Sequence, residues 1–309
     1  MTFTSDAISD LPLVLGGNVF GWTADRDASF AVLDAFVAAG GKHIDTADVY
    51  SLWVPGNSGG DSEAIIGEWL TSRGNRDALF IATKVGALAP HDNLRPDSIA
   101  AAVEDSLRRL NTDYIDLYWA HRDDADTPQE ETLAAFDSLV RAGKVRYLGA
   151  SNFSAERLRS SLAITASSGG ARYEAVQPLY NLLEHAEYED GVGRVAAEHR
   201  LATVPYYGLA AGFLTGKYRP GVTVDSARAE GAKKYFDDRG FGVIDALESV
   251  ATDHDVTVSA VALAWLNQQP TVLAPIASAR TAEQFADLAS LKGLVLSEDE
   301  LGLLRKAAS

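Results

Sequence analysis

The chain has 309 residues, 47% of them hydrophobic and 23% charged, with a formal net charge of −16. That length suits one large α/β barrel or two ordinary domains, and the composition is that of a globular protein. The acidic excess argues against nucleic acid or an anionic membrane as partner, since both select basic surfaces. The absence of cysteine excludes disulfides, thiolate metal sites and a cysteine nucleophile. No stretch is apolar enough to span a bilayer, and the polar start MTFTSDAISD does not read as a secretory signal, so a cytoplasmic location is expected.

Short apolar runs read as strands at 12–16, 43–46, 79–84, 114–120, 145–150, 174–177, 202–206 and 272–276. Helical patterns lie between them. Phe30, Leu33, Phe36 and Val37 share one face. Ile65, Ile66, Trp69 and Leu70 form a second, and Ile99, Val103, Leu107 and Leu110 a third. Gly40, Gly74 and Gly143 fall where helix C-terminal caps belong. Thr127-Pro128-Gln129-Glu130 reads as an N-cap, a first-turn proline and a capping-box acid. Thr281 with Gln284, and Ser297 with Glu300, repeat the box. Gly191-Val-Gly193-Arg-Val-Ala196 fits a dinucleotide fingerprint, but it follows an acidic helix-like stretch and reads as a loop opening the sixth helix. Two segments are irregular: 51–61 after the second strand, and an insert at 208–240 after the seventh.

Eight β/α units without a linker predict a single (β/α)8 TIM barrel over 1–309, with long loops after strands 2 and 7. A doubly wound sheet would need a phosphate-binding glycine motif after an early strand, and none is present there.

Barrel active sites lie at strand C-termini. Asp45 ends the second strand, Lys84 the third, and His121 follows the fourth, while Tyr50 lies on the loop leaving the second. A phenol, an ammonium, a carboxylate and an imidazole on one rim make a proton-delivery site for a carbonyl. The ordinary tyrosine pKa of about 10 is high for this work, and a neighbouring ammonium lowers it. Lys84 is expected to do this, with Asp45 pairing Lys84 and His121 orienting the carbonyl oxygen. Taken singly, each residue also has a structural reading as cap, packing or core histidine. Lys84 is the least easily explained that way, because a lysine at a barrel mouth is costly unless paired or used. Phe20, Trp22 and Trp53 on rim loops are candidates for an aromatic wall against an apolar carbonyl compound or a sugar ring. Trp119 has the strand parity of His121 and is expected to fill the barrel interior. His121, Asp123, Asp124 and Asp126 read as a charged turn, and no metal site is expected.

Several motifs in one order resemble the aldo-keto reductase superfamily over nearly the whole chain: HIDTADVY (43–50), ATKVG (82–86), DLYWAHRDD (116–124), AGKVRYLGASNF (142–153), YEAVQPLYNLLE (173–184), YYGLAAGFLTGKY (206–218) and SARTAEQF (278–285). The resemblance implies an oxidoreductase that uses NADPH, with NADH left open, on a small carbonyl or sugar substrate. Asp45, Tyr50, Lys84 and His121 match the family's catalytic tetrad. Ser151, Asn152 and Gln177 match the residues that hold the nicotinamide carboxamide, and Tyr206 the aromatic beneath the ring. Leu209, Gly212, Leu214 and Lys217 match the pyrophosphate loop. Ser278, Arg280 and Gln284 match the adenosine end, where an arginine on a 2′-phosphate favours NADPH. The chain departs from the pattern at Leu288, often asparagine, at Ser278, often glycine, and at Tyr207-Gly208, more usually Ser-Pro. Its short start predicts a reduced cap on the barrel bottom, and 221–240 reads as a flap. A lyase or isomerase using Lys84 covalently, and a cofactor-binding regulatory module, stay open as alternatives. The sequence leaves oligomeric state undetermined.

Overall fold

The computed structural model describes residues 3–222, 224–225 and 229–309. Residues 223 and 226–228 of the expected flap lie outside the described residues. The strands are β1 (Val14–Gly16), β2 (His43–Asp45), β3 (Phe80–Val85), β4 (Ile115–Ala120), β5 (Val145–Ser151), β6 (Tyr173–Gln177), β7 (Ala202–Thr203) and β8 (Ile276–Ala277). All pair in parallel, in the order β7-β6-β5-β4-β3-β2-β1-β8.

Backbone bonds close the seam between β7 and the approach to β8. Thr203 N donates to Thr271 O at 2.8 Å, Leu273 N to Thr203 O at 2.8 Å, and Ile276 N to Pro205 O at 2.9 Å. The chain is therefore a (β/α)8 barrel. The expected last strand at 272–276 supplies this seam, but the ladder against β1 is assigned only from Ile276. Pro275 has no N–H to give, and its carbonyl accepts from Val14 N at 3.0 Å instead.

The helices are α1 (Phe3–Ala7), α2 (Arg26–Ala38), α3 (Asp61–Arg73), α4 (Pro96–Leu110), α5 (Gln129–Arg141), α6 (Ala155–Ser168), α7 (Ala186–Asp190), α8 (Val192–His199), α9 (Ala229–Ala232), α10 (Asp238–His254), α11 (Val258–Asn267), α12 (Ala282–Ala289) and α13 (Glu298–Ala307). The expected apolar faces pack inward: Leu33 and Phe36 on α2, Ile66, Trp69 and Leu70 on α3, and Ile99, Val103, Leu107 and Leu110 on α4 are all buried. Of the segment 191–196 only Gly191, which joins α7 to α8, lies outside a helix; Val192 to Ala196 already belong to α8, which corrects the loop reading.

Two of the three expected capping boxes change. Ser297 and Glu300 form the full reciprocal box. Thr281 caps Gln284 N, but the Gln284 side chain turns away to accept from Arg280 N at 3.1 Å. The α5 N-cap is Pro128, because the Thr127 hydroxyl donates to Asp124 Oδ2 at 2.6 Å instead of facing the helix.

The barrel interior is filled by side chains. The cap at the bottom is one helical turn, α1. Phe3 sets its ring edge-on to Phe80 and Tyr147, with centroids 5.9 and 5.4 Å away, and the Tyr147 hydroxyl donates to Asp6 Oδ2 at 2.6 Å. Trp119 is fully buried in the same interior cluster. It is paired in register with Gly149, where a Cβ would stand 2.2 Å from the indole ring. Only a residue without a side chain leaves Trp119 room to plug the barrel beneath the rim.

Candidate active site

The turn after β2 is pinned from three sides. Thr46 N donates to Ala82 O on β3, Thr46 Oγ1 donates to Ser62 Oγ on α3, and Ser62 Oγ donates to Gly17 O after β1. The Ser51 hydroxyl donates to Phe20 O at 2.7 Å, tying this turn to the loop after β1. Tyr50 therefore leans back over the rim from a fixed turn. The loop after it carries Trp53, whose ring lies 6.3 Å from that of Tyr50.

Lys84 stands beneath Tyr50, 1% exposed. Its ammonium has three acceptors: the Asp45 carboxylate, Thr46 O at 2.7 Å and Tyr50 Oη at 3.0 Å. Asp45 is as deeply buried, and its second oxygen accepts from Gln177 Nε2 at 2.9 Å. Burial is the largest influence on Lys84 and works against its charge, but Asp45 and Tyr50 together outweigh it and raise its pKa. The pair is a buried ion pair with its lone pairs and protons engaged, the condition under which such a pair is tolerated.

Tyr50 departs from expectation. Burial pushes its phenol above the ordinary tyrosine value, and the attraction of Lys84 offsets only part of that rise, with Asp45 adding to it. In this geometry Lys84 holds the phenol oxygen as an acceptor, and the phenol stays protonated near neutrality. His121 lies beside it, ring centroids 6.2 Å apart. Burial, then the Lys84 and Arg122 charges, lower His121 to about 3, so its imidazole is neutral. Asp45, Lys84, Tyr50 and His121 thus form one cluster, with the protonated Tyr50 phenol over the Asp45–Lys84 pair.

A cavity of about 550 Å³ opens beside them, and its lining includes Asp45, Tyr50 and His121 together with Ser278, Arg280 and Gln284. Ser151, Asn152, Gln177 and Tyr206 line it as well. Ser151 and Gln177 are in register on β5 and β6, and Ser151 Oγ donates to Gln177 O at 2.9 Å. Asn152 Nδ2 donates to His121 O at 2.9 Å, and Asn152 Oδ1 accepts from the Tyr206 hydroxyl at 2.8 Å. Tyr206 is thereby locked to the loop it faces.

Leu209, Gly212 and Lys217 line the cavity, and Ala210, Ala211 and Gly212 are three consecutive left-handed residues, with φ of 48°, 55° and 89°. Non-glycine residues take that conformation at a cost, and such strain clusters at functional sites. Leu214 does not line the cavity: its side chain is fully buried in the core beneath the loop. Phe20 is a second correction. It is fully buried in the main hydrophobic core, not exposed on the rim. Trp22 and Trp53 do line the cavity, edge-to-face with centroids 5.6 Å apart.

Several lining residues were not singled out from the sequence: Asn18, Thr23, Val49, Ser259 and Asp287. Asn18 Oδ1 accepts from Ser278 Oγ at 2.7 Å, joining the loops after β1 and β8. The rule that barrel loops after strands line the site marks Asn18 and Thr23. Asp287 sits three residues after Gln284 on α12, a helical spacing that puts both on one face.

A family model described as "Aldo/keto reductase family" matches residues 12–309. The chain is 32% identical to "Aldo-keto reductase YhdN" of Bacillus subtilis (strain 168), over 93% of this chain and 85% of that protein. It is 31% identical to "Aldo-keto reductase str7" of Strobilurus tenacellus, over 94% of this chain and 83% of the other. It is 30% identical to "Aldo-keto reductase yakc [NADP(+)]" of Schizosaccharomyces pombe (strain 972 / ATCC 24843), over 92% and 83%. The barrel, the rim cluster and matches spanning nearly the whole chain agree: this protein belongs to the aldo/keto reductase family of oxidoreductases.

Proposed function

We propose that this protein is an NADPH-dependent carbonyl reductase or alcohol dehydrogenase, acting on an aldehyde, ketone or sugar-like substrate, with Tyr50 as general acid and base. The observation that carries this reading is the contact of Lys84 Nζ with Tyr50 Oη at 3.0 Å, where Tyr50 lines a cavity that Arg280 also lines.

The residues present suit a nicotinamide dinucleotide. A primary amide needs both donors and acceptors, and Ser151, Asn152 and Gln177 offer both on one wall. Tyr206 presents an aromatic ring beside them. The left-handed turn through Gly212, with Lys217 beyond it, suits a pyrophosphate, and Arg280 suits a 2′-phosphate. Lys217 and Arg280 stand against a net charge of −16, so their place in the cavity counts toward an anionic ligand.

When bound, the nicotinamide supplies the hydride. The chain's own residues do the rest. Neutral His121 hydrogen-bonds the carbonyl oxygen and turns it toward Tyr50. Tyr50 gives its proton to the oxygen as negative charge develops there, and Lys84 stabilises the phenolate left behind. In the reverse direction the phenolate takes the alcohol proton. The Trp22–Trp53 wall excludes water and holds the substrate's apolar face.

The engagement of Lys84 with three acceptors favours this reading over covalent lysine chemistry, which needs a neutral, uncommitted amine. The test is direct. NADPH should quench tryptophan fluorescence, and NADPH oxidation with a panel of aldehydes, ketones and keto sugars should collapse in Tyr50→Phe. No quenching with either nucleotide, or full activity in Tyr50→Phe, overturns the reading.

A further inference from the structure

One buried contact crosses the barrel mouth and has no part in the scheme above. Gln177, at the end of β6, donates from Nε2 to Asp45 Oδ1 at the end of β2. The two are 132 residues apart in the chain, and they are 3% and 1% exposed. A carboxylate only accepts, so the nitrogen of the amide must face Asp45. The amide oxygen then belongs to the other side of the group, and Gln177 lines the cavity.

The contacts form an unbroken chain. Gln177 donates to one oxygen of Asp45, and Lys84 donates to the other. Lys84 donates in turn to Tyr50 Oη. Removing the Gln177 donor leaves more negative charge on Asp45, which draws the Lys84 ammonium toward Asp45 and away from the phenol. Adding a donor at the Gln177 oxygen polarises its amide and strengthens the bond to Asp45.

Resting on the proposed function, we propose that Gln177 is a positioning residue: it holds Asp45 so that Lys84 is turned onto Tyr50, and it transmits occupancy of the cavity by a primary amide to the proton donor. The groups that face Tyr50 are Lys84 from β3, Asp45 from β2, His121 after β4, and Tyr206 and Tyr207 after β7. Of these, only Lys84 pulls the phenol down, and only the Lys84–Asp45 pair is in contact with Gln177. A cavity filled through Gln177 therefore makes Tyr50 the stronger acid.

The experiment reads Tyr50 without turnover. Ultraviolet difference titration of the empty protein is recorded for the wild type and Gln177→Met, each against its own Tyr50→Phe counterpart, so that the difference isolates Tyr50. The midpoint should move to higher pH in Gln177→Met. Nicotinamide alone should move the wild-type midpoint to lower pH and leave Gln177→Met unmoved. Steady-state kinetics supply the second readout at saturating cofactor. Gln177→Met should lower kcat for alcohol oxidation at pH 8 by about tenfold, with recovery as pH rises. Coincident titrations in wild type and Gln177→Met overturn the relay while leaving the proposed function intact. Failure of NADPH to bind, or an active Tyr50→Phe, overturns the proposed function itself. If Gln177→Met does not fold, Gln177→Glu is read instead. It brings a carboxylate against Asp45 and should move the midpoint up further still, and a midpoint that stays at the wild-type value overturns the relay.

Discussion

Lys84 Nζ lies 3.0 Å from Tyr50 Oη and 4.7 Å from the centroid of the same ring. The ammonium thus touches both the oxygen and the π face of the tyrosine. This contact stabilises a phenolate when one forms, while burial keeps the resting group protonated.

Tyr50→Phe keeps the ring and its packing but removes the transferable proton. The variant should fold as the wild type does and lose about 100- to 10,000-fold in kcat. Steady-state assays beside circular dichroism and NADPH titration check this. Cofactor binding should persist.

Lys84→Met strands the Asp45 carboxylate in the barrel mouth. The expected cost is about 3–5 kcal/mol of stability, since an unpaired buried charge remains. Adding Asp45→Leu to the same chain should recover most of that loss, with activity still absent. Urea midpoints of the single and double variants decide the matter.

Asp48 precedes Tyr50 by two residues and is 2% exposed, with no close, well-aligned hydrogen bond to either carboxylate oxygen. Burial, then the nearby Glu63 carboxylate, raise it to about 7, with the Val49 backbone N–H and then the Arg109 and Lys84 charges only partly opposing them. The folded-state value lies above the unfolded one of about 3.9. Its contribution is therefore fully present below the unfolded value and is lost as pH rises through about 7. Asp48→Asn should be more stable than the wild type above pH 7, by at most about 4 kcal/mol, and the gap should close toward pH 4. Chemical denaturation at several pH values measures the gap.

Gly149→Ala places a Cβ 2.2 Å from the Trp119 ring. Neither the strand nor the fully buried indole can move aside without disturbing the interior, so the variant should lose at least about 1–3 kcal/mol. Pairing it with Trp119→Phe, which opens space at that point, should restore part of the loss. Thermal melts of the single and double variants show whether it does.

Arg280→Leu should weaken NADPH binding about 10- to 150-fold while changing NADH binding little, because a charge-assisted bond to a phosphate is what the substitution removes. Fluorescence titration with both nucleotides checks the prediction. Equal losses for the two would place Arg280 elsewhere on the ligand.

Much of the barrel was legible because its signals are local. Short apolar runs alternating with helical faces mark the strands, and residues at run ends mark the rim, so Asp45, Lys84 and His121 were found without tertiary information. What the chain alone determined was the order of units and which side chains reach one rim. Tertiary structure decided the rest, because burial and cross-barrel contacts exist only once the sheet closes. Phe20 reads as a rim aromatic in sequence, but it is buried in the core. Thr127 reads as a cap until Asp124 comes within reach of its hydroxyl. Tyr50 reads as a phenol lowered by its lysine, yet the closed barrel removes it from water by more than Lys84 returns. Gln177 and Asp45, 132 residues apart, meet only because β6 and β2 face each other across the mouth of a closed barrel.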